Sequence, residues 1–318
     1  MILVTGSSGH LGEALVRTLR GAGRPVRGID VLPSPWTDVV GSIADAAVVE
    51  RAFDGIAEVV HAATLHKPHV ATHSRQQFID VNVTGTLVLL EAAARARVRA
   101  FVYTSTTSTF GDALSPPPGA PAAWITEDVV PVPKNIYGVT KCAAEDLCQL
   151  AHRNQHLPVV VLRTSRFFPE ADDDPHKAAA FDGDNLKHVE LLYRRADIED
   201  IVSAHLCALE RAPAIGFGRY IISATTPLTR DDAAELARDA PAVVDRRVPG
   251  WRVTYAARGW RMPATLDRVY DNRRARAALG WEPRNDFASV LARLAHGDDP
   301  RSPLARTIGK KGYHAKRV

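Results

Sequence analysis

The chain has 318 residues, of which 46% are hydrophobic and 24% charged, with a formal net charge of +4 and three cysteines. That length can bury a full core, as one large domain with a smaller lobe. The weak positive balance and the lack of any nucleic-acid-binding motif set nucleic acid aside as a partner. Cys142, Cys148 and Cys207 form no metal or disulfide pattern, no apolar run reaches membrane-spanning length, and the chain starts directly on a strand with no room for a signal peptide. A cytoplasmic protein is therefore expected. The basic end, Lys310 to Val318, reads as a solvated tail.

The first residues, Met1-Ile2-Leu3-Val4-Thr5, form an apolar run that leads into Gly6, Gly9 and Gly12. This is a strand, a tight turn and a helix start, with no side chain where a pyrophosphate would sit. The helix runs from Leu11 to about Leu19, and Gly21 and Gly23 end it. A second strand, Arg24 to Asp30, closes on a carboxylate about twenty residues past the glycines, where it can accept hydrogen bonds from the adenosine ribose and repel a 2′-phosphate. NAD is thus favoured over NADP, against a plain turn role for Asp30 before Pro33 and Pro35.

Further strands read at Glu58 to Ala63, Ala100 to Ser105 and Pro158 to Arg163. Helices read at Phe78 to Arg95 and Tyr137 to Arg153 between them. Another strand covers Arg219 to Ala224, and Thr229 caps a helix that continues to Leu236. Strands alternate with helices, so the fold class is α/β, a Rossmann-type doubly wound parallel sheet with a smaller C-terminal substrate lobe. Residues 1–165 form the dinucleotide-binding domain, to which about 195–225 return, while 166–194 and 226–318 belong mainly to the lobe. Trp251, Trp260 and Trp281 are expected to pack and close that lobe.

Tyr137-Gly138-Val139-Thr140-Lys141 carries the chemistry. Tyr and Lys at i and i+4 share one face of a helix, and an ammonium near a phenol stabilises the phenolate. The run Thr104 to Thr109 offers hydroxyls for a substrate oxygen.

These pieces, in their order, resemble the extended short-chain dehydrogenase/reductase family, in its NAD-dependent epimerase/dehydratase branch. The matches are Gly6, Gly9 and Gly12; Asp30; Val59 to Ala63; Asn82 to Thr86; Phe101 to Gly111; Tyr137 and Lys141; Ile198 to Ile201; and Ala278 to Pro283, which looks like the family's Leu-Gly-Trp-x-Pro segment. The resemblance implies Tyr137 as general base, Lys141 as its electrostatic partner and Thr106 as the catalytic hydroxyl. It implies a cofactor set of Gly6, Gly9, His10, Leu11, Gly12, Asp30, Ser42, Ile43, Ala62, Ala63, Thr64, Asn82 and Thr104, with Tyr137 and Lys141. Within that set Ile43 touches adenine, Ser42 replaces a family Asp, and Asn82 ties a helix to the sheet. It also implies homodimers.

The departures bear on substrate. Family dehydratases carry Asp-Glu after the catalytic Thr; here Thr107 and Ser108 stand there, so dehydration is not expected. Arg166 replaces a family Asn beside the substrate; it is placed either on an anionic substrate group or on an Asp of Asp172-Asp173-Asp174. Tyr193-Arg194-Arg195-Ala196-Asp197 has Asp where the family has His, and the short stretch from Phe168 to Arg195 argues for a reduced lobe. Arg195 (or Arg194), Thr107 and His66 are the remaining candidate substrate contacts. The trio His66, His69 and His73 reads as a loop and helix start rather than a metal site, since no Cys or carboxylate completes it. The expected activity is NAD-dependent hydride transfer at a hydroxyl-bearing carbon of a sugar-like, possibly anionic, substrate. A small acidic sugar or polyol dehydrogenase, or a non-catalytic NAD-binding regulator, is the alternative.

Overall fold

Every second residue of the central strands faces one of two helical layers, which is why these strands read as continuous apolar runs. The computed structural model describes residues 1–170 and 179–312. In chain order these form β1 (Ile2–Thr5), α1 (His10–Gly21), β2 (Val26–Asp30), β3 (Val39–Val40), α2 (Ala46–Ala52), β4 (Glu58–His61), α3 (Arg75–Phe78), α4 (Gly85–Arg95), β5 (Ala100–Thr106), β6 (Ala123–Ile125) and α5 (Ile136–Gln155). There follow β7 (Val159–Thr164), α6 (Gly183–Glu190), α7 (Ile198–Ile215), β8 (Phe217–Ile222), α8 (Ala233–Leu236), α9 (Ala240–Arg247), α10 (Trp251–Ala257), β9 (Arg268–Tyr270), α11 (Arg273–Leu279), α12 (Phe287–Ala295) and α13 (Pro303–Ile308).

Seven strands make one parallel sheet in the order β3-β2-β1-β4-β5-β7-β8. Ile2, Val4, Val60, Val102 and Val160 pack under α1 and α7, while Leu3, Val59, Phe101, Tyr103 and Val161 pack under α2, α4 and α5. The strand order reverses between β1 and β4, so a crevice opens at their C-terminal ends, where ligands bind in sheets of this kind. Beyond β8, a third core gathers Leu192, Leu236, Val244, Trp251, Tyr255 and Phe287. A two-stranded parallel sheet, β6 with β9, ties this region to the loop before α5.

Several elements differ from the sequence reading, which gives no β3, α2, β6 or β9. The short β3 is new; Gly41 N donates to the Asp30 carbonyl and Asp38 accepts from Gly28 N, so the strand is held by side-chain and turn contacts as much as by its own ladder. The helix expected from Phe78 to Arg95 starts at Arg75, and between α3 and α4 residues Ile79–Thr84 follow a π-helical path. Trp281 does not close the small lobe: it is buried in the main core against α7, with Nε1 donating to the Asp200 carbonyl. Asp200 in turn accepts from the backbone N–H of Arg284 and Asn285, so the two family-like segments around 200 and 280 are mutual partners.

Candidate active site

A cavity of about 780 Å³ opens along the C-terminal ends of β1, β4, β5 and β7. At one end the turn from β1 to α1 is compressed by its glycines. Gly6 has φ +70° and lies so close to β4 that a Cβ would sit 2.9 Å from the Ala63 backbone; a Cβ on Gly12 would lie 1.8 Å from the Gly6 carbonyl oxygen. These contacts leave bare backbone facing the cavity at Gly6, Gly9 and Gly12, beside His10 and Leu11. Asp30 lines the same end, its carboxylate accepting from Ser8 N at 3.0 Å and Leu32 N at 2.9 Å. Ser42 and Ile43 continue the wall.

The β4 side is set by His61, which is fully buried. Thr86 gives its hydroxyl proton to the Asn82 carbonyl at 2.7 Å, so it accepts from His61 Nε2; His61 Nδ1 then accepts from Thr5, whose oxygen receives Ala62 N and Ala63 N. Burial holds the imidazole well below its usual range, with Lys141 pushing the same way, so it stays neutral. Ala62, Ala63 and Thr64 thereby form a fixed wall of the cavity. Asn82 does not line it. From the π-helical turn its amide reaches Leu65 N, the Leu65 carbonyl and Thr140 Oγ1, the tying role implied by the resemblance.

The hydroxyl–phenol–ammonium set forms where β5 meets α5. Asn135 caps α5, with Oδ1 accepting from Gly138 N, and this starts the helix so that Tyr137 falls in its first turn. Tyr137 and Thr106 both line the cavity. Thr106 Oγ1 accepts from Ser108 N at 3.1 Å, which leaves its proton available to donate. Burial pushes the Tyr137 phenol up to about 12, with Thr106 opposing. Lys141 is placed differently from the sequence expectation. It is buried beneath the cavity wall, donating to the Thr104 carbonyl at 2.6 Å, with its ammonium 4.1 Å from the centre of the Tyr103 ring. Burial brings it down to about 7, with Glu145 the leading opposing influence.

The lining also carries Lys67, Lys134, Arg166, Arg194 and Arg268, while Asp30 is the lone carboxylate among the described lining residues. Thr107 and His66 line it as expected, and the His66 ring stacks on Phe168 at 5.3 Å between centroids. His69 and His73 lie beside His66, the His69 ring 4.6 Å from His66 and 4.9 Å from His73. Among the described residues no group of three or more His, Cys, Asp or Glu is placed to hold a metal ion. The choice between the neighbouring arginines needs correction. Arg195 is buried, donates to Glu190 and to the Phe168 carbonyl, and does not line the cavity; Arg194 does. Asp197, at the family's His position, caps α7 and accepts from Ser302 Oγ. The partner once open to Arg166, Asp172-Asp173-Asp174, lies outside the described residues. Sequence reasoning missed Lys134, Arg268 and Tyr270. The first is next to the α5 cap and could have been found; the other two reach the cavity through the β6–β9 pairing.

The family model described as "NAD dependent epimerase/dehydratase family" matches residues 2–222. The chain belongs to that family. Within it, a 3-beta-hydroxysteroid dehydrogenase of Mycolicibacterium neoaurum is 27% identical, the alignment covering 89% of this chain and 87% of the relative. A dTDP-glucose 4,6-dehydratase of Streptomyces antibioticus is 30% identical over 92% of this chain and 90% of its own. Among solved structures, a short-chain dehydrogenase/reductase superfamily protein from Agrobacterium tumefaciens with bound NAD superposes with a TM-score of 0.65 at 27% identity, covering 96% of this chain and 99% of that one. Family kinship thus gives no support to ruling out dehydration, which rested on Thr107 and Ser108 alone. No helix among the described residues is long and apolar enough to cross a membrane.

Proposed function

We propose that this chain is an NAD-dependent oxidoreductase or epimerase that acts at a hydroxyl-bearing carbon of a sugar-like substrate carrying an anionic group. The observation that carries the reading is the Thr106–Tyr137 pair lining the cavity with Lys141 buried one helical turn on. The glycine turn fits a dinucleotide, since its close approaches would be lost to any Cβ and it leads into a 12-residue helix whose first-turn N–H groups, from His10 on, have no intrahelical partner. Asp30 would hold the adenosine ribose, with lone pairs left after its two backbone bonds. Asp30→Ala should narrow the preference for NAD over NADP by about tenfold, the loss of one charge-assisted bond pair; an unchanged ratio of the two dissociation constants would reject that role.

Bound nicotinamide would supply the hydride acceptor. The protein's part is to hold the substrate hydroxyl beside Thr106, to keep Tyr137 available as a phenolate through the nearby Thr106 and the cation at Lys141, and to take the hydroxyl proton at Tyr137 Oη, which returns the phenol. Dehydrogenation releases the carbonyl product; epimerisation retains it for return of the hydride to the other face. A substrate screen read by NADH absorbance separates them, since a dehydrogenase accumulates NADH and an epimerase does not. Cofactor binding with no turnover across a wide alcohol panel would instead favour a regulator. Dehydration is disfavoured on chemistry alone: among the described residues lining the cavity, the one carboxylate is Asp30, at the glycine-turn end.

The lining carries five cations to one carboxylate, of which Lys134, Arg194 and Arg268 also pair with Asp112, Glu190 and Asp267 outside the lining; this excess supports an anionic substrate group, assigned here to Arg166. Arg166→Ala is expected to raise KM for an active acidic substrate by about 10–100-fold, the worth of a hydrogen bond to a charged group, with kcat little changed. An unaltered KM for every acidic substrate would refute the assignment. A homodimer through α4 and α5 is the assembly proposed; Leu87 on α4 and Val139 and Leu150 on α5 are exposed and apolar there, and the sedimentation mass decides it.

A further inference from the structure

Consecutive residues of β5 meet successive turns of α5. The Thr104 carbonyl accepts from Lys141, Ser105 Oγ donates to Glu145 at 2.6 Å, and Thr106 lines the cavity with Tyr137. Tyr137, Lys141 and Glu145 are spaced at i, i+4 and i+8, so they share one helix face, and all three are buried. Glu145 is the point where that face is anchored to the sheet. Its carboxylate also receives Arg163 of β7 through Nε and NH2, at 2.7 Å for the closest pair, and Arg219 of β8 at 3.1 Å. Two of its partners, Ser105 and Arg163, face each other in the β5–β7 ladder.

From this geometry we infer that Glu145 is a positioning residue for the reaction: it fixes the register of α5 on β5 and places a buried carboxylate one helical turn from Lys141. The inference deepens the hydride-transfer reading and rests on it for its catalytic meaning. A purely structural ion pair would need none of this alignment. A buried lysine next to no counter-charge loses its proton, and burial is the largest influence on Lys141, acting against the charged form. The groups facing Glu145 are Tyr103 and Ser105 from β5, Arg163 from β7, Arg219 from β8, and Lys141, Cys142 and Cys148 from its own helix, with Asp146 on the outer side of Arg219. Arg163 and Arg219 are cations held on the Glu145 carboxylate, so neutralising Glu145 leaves Lys141 with less negative charge and two uncompensated positive neighbours. The sign is then fixed: without the carboxylate, Lys141 must titrate at lower pH.

The test is Glu145→Gln in the NAD-loaded protein, with Lys141 followed by NMR of ε-carbon-labelled lysine and its resonance assigned by loss in Lys141→Met. The titration midpoint is expected to fall by about one pH unit or more, the usual effect of removing a nearby opposite charge. With an active substrate the alkaline limb of the kcat profile should fall with it, while KM stays put. This readout needs no turnover, so its failure differs from failure of the redox reading, in which Tyr137→Phe would leave the rate unchanged. A folded Gln variant whose Lys141 midpoint does not move overturns the inference. Should Gln fail to fold, Glu145→Asp keeps the charge but withdraws it by a methylene from Ser105, and a smaller fall is expected. An unmoved midpoint in the Asp variant, or a chain that folds with neither residue, would make Glu145 a stability element only and overturn the inference as well.

Discussion

Tyr137→Phe should lower turnover by about 10²–10⁴-fold, the usual contribution of a positioned general base, while NAD affinity and folding stay nearly unchanged. The substitution removes one oxygen and keeps the ring, which packs against Leu65 and Phe78 in a small core of its own. Loss of the phenol oxygen costs about 1 kcal/mol at most, since Thr106 keeps its contact with Ser108 N. Large loss of rate with little loss of stability therefore separates proton transfer from packing. The pH dependence sharpens the test. Burial raises the phenol to about 12 in the structure, so oxidation of an alcohol must draw on Thr106 and a charged Lys141 to bring the phenolate within reach near neutrality. The rate of the native protein should climb with pH as the phenolate forms, and the residual rate of the Phe variant should be flat. Equal rates in the two proteins, measured by NADH absorbance with any active substrate, would remove Tyr137 from the reaction.

How much of this could be read from the chain follows the distance over which each feature is built. The β1–α1 turn, Asp30, and the Tyr137–Lys141 spacing are local, and the structure puts Gly6, Asp30, Thr106 and Tyr137 on one cavity. What failed is long-range or turns on a single residue of register. Arg194 and Arg195 both donate to Glu190, yet Arg194 lines the cavity while Arg195 is buried against the Phe168 carbonyl, a choice set by contacts with Glu190 and Phe168 that adjacent arginines in a sequence do not reveal. The π-helical path at Ile79–Thr84 is hidden for a related reason: its apolar pattern passes for an ordinary helix, and only the inward reach of Asn82 to Leu65 and Thr140 reveals the extra residue per turn. Lys141 has the right spacing, yet its ammonium goes to the Thr104 carbonyl, because a buried cation takes the nearest strong acceptor. Arg268 and Tyr270 arrive from more than 100 residues beyond Tyr137 through a sheet of only two strands, which no local pattern announces.

Gly12→Ala should destabilise the protein by about 1–3 kcal/mol, the usual penalty for overpacking, and weaken NAD binding at least 100-fold. In an ordinary helix interior the same change gains about 1 kcal/mol, because alanine is the better helix former. The sign reverses here because of what surrounds the new carbon. A Cβ at Gly12 would lie 1.8 Å from the Gly6 oxygen, 2.5 Å from its carbonyl carbon and 2.8 Å from Ser7 Cα, all backbone atoms with no rotamer to retreat into. Relief requires the β1–α1 turn to open, and that turn cannot move freely, since Gly6 N and Ser7 N both donate to the Ile29 carbonyl and Gly6 lies against Ala63. Opening it shifts the N–H groups at the start of α1 away from a bound pyrophosphate, so stability and affinity must fall together. Gly21 supplies the control within the same helix. Nothing lies within 4 Å of a Cβ placed there, so Gly21→Ala should be neutral or slightly stabilising and leave the cofactor alone. Denaturant unfolding and NAD titration on both variants settle the matter. Two alanines with equal effects would mean that the glycine at position 12 serves helix flexibility rather than close approach, and the dinucleotide cradle argued from it would lose its foundation.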